Sequence, residues 1–220
     1  MRIAPLPILL TLVLITACGR VAPTATPAPL ATQTAVPTET STALPPIEEI
    51  TIMIDDFESG ETAWQAGTEP GFADSSALGV GLTAENASQG QQALQLDFEQ
   101  NDKPKAIFFL DQELDLSQVP FLQFDLYNPG SAAAVVVAVT TGQDQVWYES
   151  GNFPLAAGQT TRVVFDLTAG DYKAASTNWE FRASIADLSD VHRLAIIVIP
   201  ASSGSVGLDN VLLTNTPPVH

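Results

Sequence analysis

Short apolar stretches recur along the chain at residues 50–54, 93–98, 106–110, 121–127, 133–140, 145–150, 160–167, 194–199 and 206–213, each closed by Gly, Pro, Asn, Asp or Ser. They are rich in Val, Ile and Phe, and several alternate with a period of two. Leu94, Leu96 and Phe98 fall on one face and Gln95, Asp97 and Glu99 on the other; Leu122, Phe124 and Leu126 alternate in the same way with Gln123, Asp125 and Tyr127. That period belongs to a strand with one face in a core and the other in water. Residues 174–188 leave room for a short helix or an irregular turn, but their pattern is weak. About nine strands and no strong helix predict an all-β fold, an antiparallel β-sandwich of jelly-roll type. One strand departs from alternation. Residues 132–140 are apolar or small on both faces, as in a strand covered on both sides. That strand belongs either in a flat core sheet or under a face covered by the chain between Asp166 and Leu188.

The sandwich pattern begins only after residue 46. Residues 19–46 are dominated by Thr, Ala and Pro, with prolines at 23, 27, 29, 37, 45 and 46. Proline removes backbone donors and biases its neighbours towards extended conformations, and Thr and Ala offer too little apolar area to offset chain entropy. This composition predicts a semi-extended spacer and is compatible with O-glycosylation. The expected organisation is a leader at 1–17, Cys18 with the linker to 46, a sandwich domain at 47–214, which is one domain's worth of chain, and a tail at 215–220.

The leader has its own chemistry. Arg2 precedes a run from Ile3 to Ile15 that is apolar apart from Thr11 and broken by Pro5 and Pro7. It is shorter than the roughly 20 apolar residues of a spanning helix and has the n-region and h-region of a secretory signal. Ile15-Thr16-Ala17-Cys18 closes it, and Cys18 is the one cysteine of the 220 residues. The tetrapeptide resembles the lipobox of bacterial lipoproteins. The resemblance implies cleavage before Cys18, diacylglycerol on its sulfur, and an extracytoplasmic, surface-exposed domain held to the membrane by that lipid. An ordinary signal peptide with a stray cysteine is the alternative, although an unpaired thiol is a liability in an exported protein.

Charge narrows the partners. Eight Lys and Arg face 25 Asp and Glu, a formal net charge of −17, and the domain's cations at 103, 105, 162, 173, 182 and 193 are scattered. Binding to a phosphate backbone rests on clustered cations, so nucleic acid is not an expected partner. Catalysis also has little support. His192 sits beside Arg193 at a strand entry, His220 ends the sequence, and the domain holds no cysteine. No carboxylate pair is singled out for glycoside hydrolysis, and no phosphate loop or Ser/His/Asp order is present. The expectation is a non-enzyme.

Two distant motifs carry a resemblance. Asp55-Asp56-Phe57-Glu58-Ser59-Gly60 follows the first strand and precedes Trp64, and Gly207-Leu208-Asp209-Asn210-Val211 lies in the last strand. With the Ser88-Gln89-Gly90-Gln91-Gln92 strand entry, Phe124 to Pro129 and Val164 to Thr168, they resemble the jelly-roll carbohydrate-binding modules, among them the family-11 type, within the galactose-binding-like fold. That resemblance implies a structural Ca²⁺ where the first and last strands meet. Transferred by motif, Glu58 and Asp209 are its carboxylate ligands, with Asp56 and the turn at 88–91 as further contributors. Calcium takes six to eight oxygen ligands, carbonyls included. Alternatively, Asp56 and Asp209 cap turns or accept backbone amides at strand ends.

A glycan partner needs an aromatic face to stack on a sugar ring and polar groups for its hydroxyls. Alternation puts Gln145, Trp147 and Glu149 on one face of their strand, the best candidate platform. Trp179, flanked by Asn178 and Glu180, is the second, and Trp64 is expected in the core. Core burial is the competing expectation for Trp147 and Trp179. The function expected is non-catalytic carbohydrate binding by a calcium-braced surface lipoprotein. The alternative is a structural or protein-interaction sandwich without a sugar site.

Overall fold

The computed structural model describes residues 48–68 and 70–217. The leader at 1–17, Cys18, the linker to 46 and the last three residues lie outside them. Twelve strands are found among the described residues: β1 Thr51–Asp55, β2 Gln65–Ala66, β3 Ala77–Thr83, β4 Ala93–Phe98, β5 Ala106–Leu114, β6 Phe121–Asn128, β7 Ala132–Thr141, β8 Val146–Glu149, β9 Phe153–Pro154, β10 Gln159–Asp166, β11 Val191–Pro200 and β12 Gly204–Thr214. Two single 3₁₀ turns, Pro70–Phe72 and Ala175–Thr177, supply the helical content there.

The strands form two six-stranded antiparallel sheets. The first runs β10-β6-β12-β4-β3 with β1 on β12, and the second runs β2-β5-β11-β7-β8 with β9 on β7. From β4 to β7 successive strands alternate between the sheets, so each strand's apolar face meets the opposite layer. Leu94, Leu96, Phe98, Leu122, Phe124, Leu126, Val206 and Leu208 of the first sheet share one core with Phe108, Leu110, Val135, Val137, Val139, Leu194, Ile196 and Val198 of the second. Trp64 joins that core at 2% exposure. The all-β antiparallel sandwich is as the alternation predicts.

Two expectations change. Gln123 and Asp125, on the polar face of β6, are buried because other polar groups pair with them. Gln123 donates to Thr214 Oγ1 at 2.8 Å, and Asp125 accepts from Arg162, Ser88 and Asn210. Burying polar groups is tolerable when they are paired. The segment between Asp166 and Leu188 meets β7 at its end, where Thr141 Oγ1 donates to the Ala186 carbonyl at 2.7 Å. It extends the second sheet past β8 through the bridges Glu149–Lys173 and Tyr172–Ala183, and Tyr172, Ala174 and Ala183 enter the main core.

Candidate functional site

The outer face of the second sheet is built in rows that cross neighbouring strands. Ile107, Ile197 and Val136 form one row, and Phe109, Ala195 and Ala138 the next. Both rows are buried in a second apolar cluster, against which Phe72, Trp147 and Ile199 pack. This accounts for the two-sided apolar character of β7. The cover is the turn carrying Phe72, whose ring lies 5.1 Å from that of Phe109 at 27°. Gly67 permits that approach: it donates to the Ile107 carbonyl at 2.8 Å, and a Cβ there would sit 3.0 Å from the same oxygen and 3.1 Å from the Phe72 ring.

The third row changes character. Asp111, Arg193, Thr140 and Trp147 face one another in register across β5, β11, β7 and β8. All four line a cleft of about 660 Å³, together with Phe72, Gln145 and Trp179. Arg193 donates through Nε to Asp111 Oδ1 at 2.5 Å and through Nη2 to Oδ2 at 2.9 Å. Its guanidinium carbon lies 4.2 Å from the Phe109 ring centre and 5.3 Å from that of Phe72. A guanidinium suits both tasks at once, the fork to a carboxylate and the stack on a ring. Val191 and Leu194 both face the core, and the register slips between Val191 and Arg193. His192 and Arg193 are therefore both turned outward, as a bulge allows.

Three of the four residues anticipated for sugar contact meet in this cleft. Gln145 sits in the turn before β8 with φ of 48°, and Trp147 is half-buried with its ring 6.4 Å from Phe72. Trp179 is 53% exposed. Asn178 and Trp179 both adopt left-handed backbone, with φ of 54° and 63°. That conformation is an outlier for a bulky residue and costs about 1–3 kcal/mol. The 3₁₀ turn holds it through the Trp179 amide, which donates to the Ala174 carbonyl at 3.0 Å.

Glu149 is placed differently from the expectation. It is 4% exposed and receives Lys105 at 3.0 Å and Lys173 at 2.5 Å. Burial alone would raise its pKa, but hydrogen bonds and charge from the two lysines outweigh that and hold it below the ordinary glutamate range. Its oxygens are committed to the lysines, and the indole Nε1 of Trp147 lies 3.4 Å from one of them. Glu149 thus positions the platform. Arg193, Asp111, Thr140 and Phe72 were not anticipated. Their signal is cross-strand register, which no local window contains.

At the meeting of first and last strands, Glu58 and Asp209 grip one turn from its two ends. Asp209 Oδ2 accepts the amides of Ser88 at 2.7 Å and Gln89 at 3.0 Å, and Glu58 Oε1 accepts those of Gln91 and Gln92 at 2.8 Å each. Asp56 accepts the Glu58 amide at 3.1 Å. The three carboxylates do not close on a common point. Gln92, whose backbone amide Glu58 accepts, carries a buried Oε1 with no hydrogen-bond partner.

This architecture defines a jelly-roll sandwich of the galactose-binding-like, carbohydrate-binding-module type. Its fold is similar to the family 11 carbohydrate-binding module of the cellulase Lic26A-Cel5E of Clostridium thermocellum, with 12% identity over 77% of this chain and 97% of that one and a TM-score of 0.57. The Clostridium thermocellum family 11 module in complex with a β-1,3-1,4-mixed-linked tetrasaccharide is similar at 15% identity, 74% and 94% coverage and a TM-score of 0.54. An exo-β-agarase is similar at 16% identity over 76% of this chain and 25% of its own, with a TM-score of 0.56. No match is found among curated proteins. Residues 55–211 match the family model described as mannanase, galactose-binding domain-like, and the chain belongs to that family.

Proposed function

We propose that the protein binds a β-linked polysaccharide without cleaving it, in the cleft on the outer face of the second sheet. The observation that carries this reading is Trp179, an exposed indole held in strained backbone beside a polar row that already contains Trp147. Strain is retained where the surroundings enforce it, and it clusters at binding sites. An indole offers a flat apolar face for the C–H side of a sugar ring, while Gln145 and Thr140 supply amide and hydroxyl groups for its hydroxyls. Family membership and the mixed-linked oligosaccharide bound by a module of similar fold support the choice of ligand class.

Cys18 is read as the lipidated residue of a surface lipoprotein, with residues 19–46 as its spacer. Mass spectrometry of the N-terminal peptide, with Cys18→Ser as control, tests this. Calcium is read as a structural brace held by Glu58 with Gln92 Oε1, beside the turn that Asp209 secures; Asp56 supports Glu58 through its amide. The test of the binding reading is calorimetric titration of the full chain with mixed-linked β-glucan and with β-mannan. Binding that weakens at least about tenfold, or about 1.4 kcal/mol, in Trp179→Ala is expected. Absence of binding to any glycan, or a Trp179→Ala variant that binds like the parent, overturns it in favour of the protein-interaction alternative.

A further inference from the structure

At the end of the cleft, beyond Arg193, the bulge in β11 turns His192 outward between two carboxylates. Nδ1 lies 2.8 Å from Glu113 Oε1 on β5, and Nε2 lies 3.4 Å from Asp190 Oδ1 in the segment entering β11. An ionised carboxylate only accepts, so the first contact places the ring proton on Nδ1. Nε2, on the other side of the ring, faces a second carboxylate. It is buried and has no hydrogen-bond partner. A nitrogen and a carboxylate oxygen so placed can share a cation.

The span identifies a species that fits. Zinc binds imidazole nitrogen at about 2.0–2.1 Å and carboxylate oxygen at about 2.0–2.2 Å, and at a tetrahedral angle these bonds set N and O about 3.4 Å apart. The contact is too long and too poorly aimed for a hydrogen bond, yet its length is that of two ligands on one metal. Glu113 on the far nitrogen completes the arrangement by which metal-bound histidines are oriented and made more basic, a carboxylate accepting the other N–H. Ligand atoms of Glu113, Asp190 and His192 all lie within 4.8 Å of one another. Arg193, the neighbouring cation, is engaged by Asp111, and Asp187 Oδ2 lies near Gly142 in the turn that packs on Asp190, so the local field favours a cation.

We propose that His192 Nε2 and Asp190 form a divalent transition-metal site, oriented by Glu113, at the end of the cleft. Water completes the coordination, and soft ligands are lacking, so the imidazole-and-carboxylate set suits zinc and its neighbours in the first row. The site is separate from the all-oxygen calcium position at Glu58 and does not depend on the glycan reading. An imidazole nitrogen binds metal only without its proton, so occupancy rises with pH.

Zinc chloride titrated calorimetrically into the metal-stripped full chain, with calcium present in excess, tests the site. Saturable uptake of one zinc per chain is expected. It is lost in His192→Ala and weakened about 10–100-fold in Glu113→Gln. Asp190→Asn weakens it at least about tenfold, and Glu61→Gln, at an exposed carboxylate, leaves it unchanged. Glu113 and Asp190 are solvent-facing, so their variants report even if His192→Ala fails to fold. Lack of saturable uptake by the parent, or uptake undiminished in Asp190→Asn, overturns the proposal. So does a nitrogen NMR spectrum showing both His192 ring nitrogens protonated at neutral pH and unmoved by zinc, which would mean that a proton fills the gap.

Discussion

Replacing Glu149 by Gln tests whether charge at this buried carboxylate holds the platform strand in place. Glu149 is buried at 4% exposure, while the side chains of Lys105 and Lys173 keep 19% and 25% of theirs. Removing one partner of a fully buried ion pair costs about 3–5 kcal/mol because the other is stranded. Here both lysines can turn to solvent, and Gln still accepts one hydrogen bond, so the cost falls to about 2 kcal/mol. In a domain of this size that is a Tm lower by about 4–8 °C. The pH dependence isolates the charge. A folded pKa below the ordinary value of 4.5 means that the ionised form contributes fully above pH 4.5 and that the contribution is lost as pH falls through the lowered folded value. Urea denaturation of parent and Glu149→Gln at neutral pH and stepwise down through that window should show a gap that closes in acid. Asp125, also held below its ordinary value by Arg162, Ser88 and Asn210 against its burial, titrates in both proteins and cancels from the difference. A gap of constant size across the window would refute the electrostatic account and assign Glu149 a role of shape alone.

Gly90→Ala should destabilise by about 1–3 kcal/mol in urea titration, because Gly90 has φ of 64° and its Cβ would lie 2.3 Å from Glu58 Oε1; adding Glu58→Ala should return the steric part of that loss, a coupling readable in a double-mutant cycle. Arg193→Lys, which gives up both the fork to Asp111 and the stack on Phe109, should lower stability by about 1 kcal/mol in thermal melts, and an unchanged melt would show that the row is held without the guanidinium. Calcium at a hundredfold excess over its Kd should raise stability by about 2.7 kcal/mol in scanning calorimetry, reversed by chelator and absent in Glu58→Gln; a melt indifferent to chelation would remove calcium from the reading.

What the sequence made legible was the part written in single strands. β4 was read to its ends because Leu94, Leu96 and Phe98 alternate with polar residues. β3 was not, because Gly79 and Gly81 interleave with Val80 and Leu82, and glycine leaves a strand without the side chains that carry the period. β5 was cut short at Leu110, since its continuation through Asp111 and Glu113 is solvent-exposed. Alternation likewise put Gln145, Trp147 and Glu149 on one face. It could not say that Lys105 and Lys173, distant in sequence, would close on Glu149 and withdraw it from the cleft. The bulge at His192 was invisible for a related reason: a slip of one residue reverses which side chains face out.

Strand β7 carries Ala134, Val136 and Ala138 on its outer face, where a sugar would need polar groups. Register resolves the difficulty. Val136 and Ala138 lie in the two apolar rows packed by Phe72 and Trp147, Ala134 pairs with Ile199 and Pro154, and the strand reaches the cleft at Thr140, where its partners on either side are Arg193 and Trp147. The apolar rows form the bed beneath the contact groups, and Ile107 of the first row also lines the cleft. A rigid element holds contact groups more precisely than a loop does. The bed also fixes Arg193, because its guanidinium stacks on Phe109 of the last apolar row and on Phe72, which covers that row. Polar groups therefore need to appear only in the one row that the Phe72 turn leaves uncovered, and the apolar length of β7 becomes a requirement of the cleft.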